Sequence, residues 1–237
     1  MLLFIHDEAT PGLRPFGGAS RWWLDKSLAA LAARIDAAGG QLTLRAGASA
    51  DVLPALIAET GADSVFWNRR YQKAERDLDG ALMEMLKAGG IAVSSFNGRL
   101  LNEPWQIETG AGGDYKVFTP YWKAVKARYR APDALPAPTS LAGPELASDT
   151  LSDWNLHPTR PDWADGLGAT WTPGEAGAME RLSDFLDGPV NAYAEARNRP
   201  DIDAGTSRLS PHLRFGEIGP AQVWRAVRHG VESGRVD

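Results

Sequence analysis

The 237-residue chain has no cysteine, so disulfides and thiolate metal sites are excluded and a reducing cytoplasm fits the composition. Its four histidines, His6, His157, His212 and His229, lie too far apart for ligand spacing, and no metal site is expected. No apolar run approaches the length that crosses a bilayer. The opening Met1-Leu2-Leu3-Phe4-Ile5 runs straight into His6-Asp7-Glu8, which is too short for a signal peptide. A basic surplus is missing as well. The formal charge of −5 argues against a sequence-blind nucleic-acid binder, while leaving room for a local basic groove. There is no internal repeat and no heptad pattern. No Gly-x-Gly-x-x-Gly follows a strand, which sets aside a dinucleotide dehydrogenase.

What is present is a globular composition. A hydrophobic content of 43% suits a packed core in one large or two small domains. The nine tryptophans fit large cores, stacking surfaces or electron carriers, and composition does not separate these roles. Leu2 to Ile5, Gln41 to Arg45, Asp63 to Trp67 and Ile91 to Phe96 read as strands. Between them, helices are predicted over Ser20 to Ala38, Asp51 to Thr60 and Gln72 to Lys87. The first carries Leu24, Leu28, Leu31 and Ile35 on one stripe, with Ser20 as its N-cap; the third carries Leu78, Leu82 and Met85 and ends at Gly89-Gly90. Such alternation implies βαβ crossovers and an α/β fold with a doubly wound parallel sheet. From about residue 104 the pattern breaks. Gly110 to Gly113 and Pro132 to Pro144 read as a long connector that wraps another domain's surface. After Trp171-Thr172-Pro173-Gly174 the pattern is helical, with Met179, Leu182, Phe185 and Leu186 on one face and a further helix over Pro220 to His229.

One decapeptide concentrates chemistry: Gly205-Thr206-Ser207-Arg208-Leu209-Ser210-Pro211-His212-Leu213-Arg214. Ser210-Pro211 reads as an N-cap followed by the first helical position. Amide groups of the helix start, the Thr and Ser hydroxyls and Arg208 form a natural anion cradle, although a well-capped surface helix accounts for the spacing equally. Asn68, Arg69 and Arg70, at a strand's carboxyl end, suit a ligand site or an ordinary exposed loop.

This stretch, continuing through Arg214-Phe215-Gly216-Glu217-Ile218, resembles the flavin-phosphate loop of the photolyase/cryptochrome family. The resemblance covers nearly the whole chain. Gly17-Gly18-Ala19-Ser20-Arg21-Trp22-Trp23-Leu24 is similar to the first helix entry of the family's antenna domain, and Trp67-Asn68-Arg69-Arg70-Tyr71 to its strand-end motif. Phe96-Asn97-Gly98, Glu103-Pro104-Trp105, Tyr115-Lys116-Val117-Phe118-Thr119-Pro120-Tyr121-Trp122 and Trp171-Thr172-Pro173-Gly174 follow in the family's order. It implies a photolyase-type α/β antenna domain over 1–105, an interdomain linker over 106–170 and the start of a helical FAD-binding domain over 171–237. By the same comparison the opening strand precedes Met1 and the helical domain continues past Asp237. The expectation is therefore a chain truncated at both ends and inactive by itself.

The activity implied is that of a deoxyribodipyrimidine photolyase, most like class I: light-driven electron transfer from reduced FAD that repairs cyclobutane pyrimidine dimers in DNA. A cryptochrome-type blue-light photoreceptor, or a non-functional fragment of either, stays open. No catalytic residue is assigned within the chain. The resemblance puts Tyr193, Thr206, Ser207, Arg208, Leu209 and Ser210 on FAD and Arg197 on DNA. Read without it, Tyr193 is a packed helix aromatic and Arg197 a solvated surface arginine. A second, antenna chromophore of unknown identity is implied; folate is disfavoured, because Ala111-Gly112-Gly113-Asp114 lacks the polar pair used for it. The expected setting is a cytoplasmic monomer, without membrane contact, whose partner is damaged DNA.

Overall fold

A computed structural model describes residues 1–132 and 134–236. Asp133, inside the expected connector, and Asp237, at its expected stop, lie outside the described residues. The predicted alternation is realised as β1 (Leu2–His6), α1 (Gly18–Ala37), β2 (Leu42–Ala46), α2 (Ser49–Thr60), β3 (Ser64–Asn68), α3 (Lys73–Ala88) and β4 (Ala92–Phe96). Helices follow as α4 (Phe118–Arg128), α5 (Asp165–Thr170), α6 (Glu175–Leu186), α7 (Tyr193–Ala196), α8 (Ser210–Phe215) and α9 (Pro220–Glu232). The residues group into two units, Met1–Phe96 with Pro136–Ala178, and Asn97–Leu135 with Met179–Asp237.

In the first unit every strand pairing is parallel, which right-handed βαβ crossovers produce. β1 pairs with β2 from Leu2↔Leu42 to His6↔Ala46, and β3 with β4 from Ser64↔Ala92 to Asn68↔Phe96. Among the described residues the two pairs do not join into one sheet. A cavity of about 580 Å³ separates them, lined by Met1 to Ile5 of one pair, Ser64 to Asn68 of the other, and Leu53, Leu56, Ile57 and Leu82. Leu53, Leu82 and Leu86 make the buried cluster of this region, with Leu3, Ile5, Val65, Trp67 and Val93 from the strands packed on it. Alternate residues of β3 and β4 face this core, while Phe66 and Phe96 lie exposed with ring centroids 6.4 Å apart.

Three details differ from expectation. α1 starts at Gly18 with Gly17 at the cap position, so Ser20 is a first-turn residue and caps nothing. Leu24, Leu28, Ile35 and Leu82 are buried, but Leu31 and Met85 are 37% and 43% exposed. Periodicity gives direction; burial also needs a partner element opposite. In α6, Leu182 and Leu186 are buried and Met179 is exposed.

Within the first unit, the stretch from Leu146 to Asp149 lies along β2. Asp149 N–H donates to the Leu44 carbonyl at 2.9 Å, and Leu44 N–H donates to Ser148 Oγ at 2.9 Å. Gln41 holds Leu146 by both of its backbone groups, at 2.9 and 2.8 Å. These bonds occupy polar groups of an edge strand that would otherwise be open to pairing with another chain.

Candidate cofactor site

The glycine-led loop of the second unit is built by close packing. A Cβ on Gly205 would stand 2.7 Å from the Ala196 carbonyl oxygen and 3.1 Å from that of Ile202, so only glycine fits. Its N–H donates to the Ile202 carbonyl at 3.0 Å. Three residues on, Arg208 adopts a left-handed backbone with φ of 52°. An arginine rarely does so, and the conformation costs about 1–2 kcal/mol. Leu209, 2% exposed, plugs the loop into the core beneath it.

α8 begins at Ser210, one residue earlier than predicted. Leu209 takes the cap position, and no side chain caps the helix; Pro211 sits in the first turn, where its missing N–H costs nothing. The reversal at Arg208 with the burial of Leu209 sets this start. Beneath it, His212 Nδ1 lies 2.5 Å from Glu217 Oε2, both side chains buried, and Glu217 N–H donates to the His212 carbonyl at 2.9 Å. Gly216, at φ of 75°, makes the turn between them. The helix carrying the loop is thereby pinned at both ends.

Thr206, Ser207 and Arg208 line a cavity of about 190 Å³. Arg181, Asp184 and Phe185 of α6, with Pro189, Asp203 and Ala204, complete its wall. Two arginines and two aspartates share this lining, so its formal charges balance. The volume is below that of a typical organic-ligand pocket and suits a phosphate group more than a whole dinucleotide.

Of the other expected contacts, the side chain of Leu209 is in the core and Ser210 is exposed, and neither lines this cavity. Tyr193 is 39% exposed and reaches the cavity only through Phe185, against which its ring stands edge-on at 5.7 Å. Arg197 follows on the same face, its guanidinium 5.7 Å from the centre of the Tyr193 ring, and is exposed. The α6 residues were missed by sequence reasoning. Only the apolar stripe through Phe185 pointed to them, and it carried no chemical signal.

In the first unit, Arg70 forms a two-point contact with Asp79 at 3.1 and 2.5 Å, and Arg69 donates to the Ser95 carbonyl at 2.6 Å. Both arginines thus anchor the end of β3.

The family pattern described as DNA photolyase matches residues 1–139, more than half of the chain. The chain belongs to the DNA photolyase family. This photolyase-family chain is 47% identical over 216 residues to a deoxyribodipyrimidine photo-lyase of Agrobacterium fabrum, an alignment covering 90% of this chain and 45% of that protein. It is 32% identical over 229 residues to cryptochrome-1 of Arabidopsis thaliana, covering 95% and 34%. Among solved structures, a bacterial class III photolyase from Agrobacterium tumefaciens superposes with a TM-score of 0.90 at 44% identity, covering 98% of this chain and 48% of that one. The α/β fold with parallel strands, followed by the start of a helical domain, is therefore the photolyase one. The resemblance to class I is not carried forward, since this neighbour is of class III. The chain spans about half the length of the photolyases it matches.

Proposed function

We propose that this chain is the antenna-domain and cofactor-loop portion of a deoxyribodipyrimidine photolyase acting on cyclobutane pyrimidine dimers in DNA. The carrying observation is the cavity at Thr206, Ser207 and Arg208, formed where Arg208 takes a left-handed backbone beside the close-packed Gly205. Hydroxyls and a guanidinium on a rigid turn fit the pyrophosphate of FAD. In this reading Thr206, Ser207 and Arg208 hold the phosphates, Leu209 and Ser210 support the turn, and Tyr193 borders the cofactor through Phe185. Bound FAD, once reduced and excited by light, supplies the electron that splits the dimer. Arg197, exposed beside Tyr193, meets DNA phosphate and gives position without sequence readout.

The division into antenna domain 1–105, linker 106–170 and helical FAD-binding start 171–237 belongs to the same proposal, as do a second chromophore, a monomeric state and a cytoplasmic setting. Among the described residues no helix is long and apolar enough to cross a membrane. The photoreceptor reading is favoured by the similarity to cryptochrome-1 along 95% of this chain. Light-dependent loss of dimers from irradiated DNA separates the two.

The test starts with the chain itself, mixed with FAD and freed of excess by gel filtration. A flavin absorption band is expected to remain with the protein and to weaken about tenfold or more in Arg208→Ala. A folded chain that retains no flavin, or retains it equally in the variant, overturns the cofactor assignment.

A further inference from the structure

The first unit gathers a row of titratable side chains that the cofactor reading does not use. Lys26, on α1, has 39% of its side chain exposed, so reagents in solution reach it. Its Nζ donates to Asp25 Oδ2 at 2.8 Å and lies 3.2 Å from His157 Nδ1. His157 comes from 131 residues along the chain, in the segment before α5. Its neighbour Leu156, 2% exposed, anchors that segment in the core. On the other side of the ring, the buried His157 Nε2 lies 3.5 Å from Asp162 Oδ1. Ala164 N–H donates to the same carboxylate oxygen at 3.0 Å. That bond, followed by His157 and Lys26, holds the Asp162 carboxyl below the usual carboxylate range, so it is ionised at neutral pH.

Hydrogen-bond chemistry assigns each role. An ammonium donates and cannot accept, so His157 Nδ1 is the acceptor and the ring proton sits on Nε2, towards Asp162. Carboxylate, imidazole and amine thus stand in the order of a catalytic triad, with the lysine nitrogen in the place of the nucleophile. Asp25 works the other way, because its charge favours the ammonium. Lys73 is the fair comparison within the same chain. It bears the same kind of opposing carboxylate, Asp77, and among the described residues it pairs with no imidazole.

We propose that Lys26 is an acyl-acceptor site for activated acyl donors, acyl phosphates or thioesters, with His157 as general base and Asp162 as its orienting partner. The neutral amine attacks the carbonyl carbon with its lone pair. As the C–N bond forms, a proton passes from the nitrogen to His157 Nδ1, and Asp162 faces the resulting imidazolium. The C–O or C–S bond to the leaving group breaks with its electron pair, releasing phosphate or thiolate, and His157 returns its proton to water. The product is an amide at Lys26, which removes the charge that pairs with Asp25.

Incubation of the chain with acetyl phosphate, and separately with acetyl coenzyme A, followed by peptide mass spectrometry, gives the acetylation rate of each lysine. Lys26 is expected to react about tenfold faster than Lys73 with at least one donor, and the two arms separate a phosphate source from a thioester source. His157→Gln keeps an acceptor for Lys26 but removes the base. It should slow Lys26 about tenfold or more and leave Lys73 unchanged. Asp162→Asn, at a side chain that is 43% exposed, should also slow Lys26, and it carries the test should His157→Gln fail to fold. Thermal unfolding followed by circular dichroism verifies the fold of each variant. Equal rates at Lys26 and Lys73, or an unchanged Lys26 rate in folded His157→Gln or Asp162→Asn, overturns the proposal. No residue of this row lines the cofactor cavity, so the flavin reading stands or falls separately.

Discussion

Asp7 ties the end of β1 to the start of α2, and its charge should be felt in acid. Its Oδ2 accepts from Ser49 N–H at 2.8 Å, Ser49 Oγ at 2.7 Å and Thr10 Oγ at 2.6 Å. Oδ1 accepts from Thr10 N–H at 2.8 Å. Burial pushes the carboxyl up, but these bonds from Thr10 and Ser49 outweigh it and bring the pKa down from 3.8 to about 2. A displacement of that size is worth at most about 2.4 kcal/mol between the protonation states. Solvent reaches most of the group, so about 1 kcal/mol is the realistic contribution. The sign follows from linkage: the folded pKa is depressed, so the stabilisation is fully present above about pH 4 and disappears as pH falls through about 2. Asp7→Asn should therefore unfold more readily than the parent in urea at pH 6, by about 1 kcal/mol, with the gap closing towards pH 2 when followed by circular dichroism. A gap that stays constant across that range would refute the argument.

Gly205→Ala should displace the cofactor loop, since its methyl group would meet the Ala196 carbonyl at 2.7 Å; we expect a loss of about 1–3 kcal/mol in stability and loss of flavin retention with it. An unchanged thermal midpoint with flavin retained would sink that reading. His212→Ala removes the imidazole 2.5 Å from the buried Glu217 carboxylate and should cost about 3 kcal/mol, part of which returns when Glu217 is also replaced by leucine. Equal losses in the single and double variants, measured by thermal unfolding, would show that the pair is not what holds α8.

The strands from Leu2, Gln41, Asp63 and Ile91 were legible because an apolar run of strand length bounded by turn residues has few alternatives. The same holds for Gly89-Gly90 ending α3. Three things were not legible. The cap of α8 fell on Leu209, because a left-handed Arg208 and a buried leucine, not hydroxyl chemistry, start that helix. Arg181, Asp184 and Phe185 joined the cavity from a helix some twenty residues upstream, which no local pattern encodes. The edge-on packing of Trp224 against Trp122 and Tyr129 needed α4 and α9 side by side, which no local pattern encodes. Local sequence by itself determined the elements and their parallel βαβ logic, since backbone geometry and periodicity act over a few residues. Only tertiary packing decided which stripes were covered, how the stretch from Leu146 to Asp149 lay along β2 and which distant charges came to share a cavity, because burial and electrostatic neighbourhood are properties of surfaces brought together.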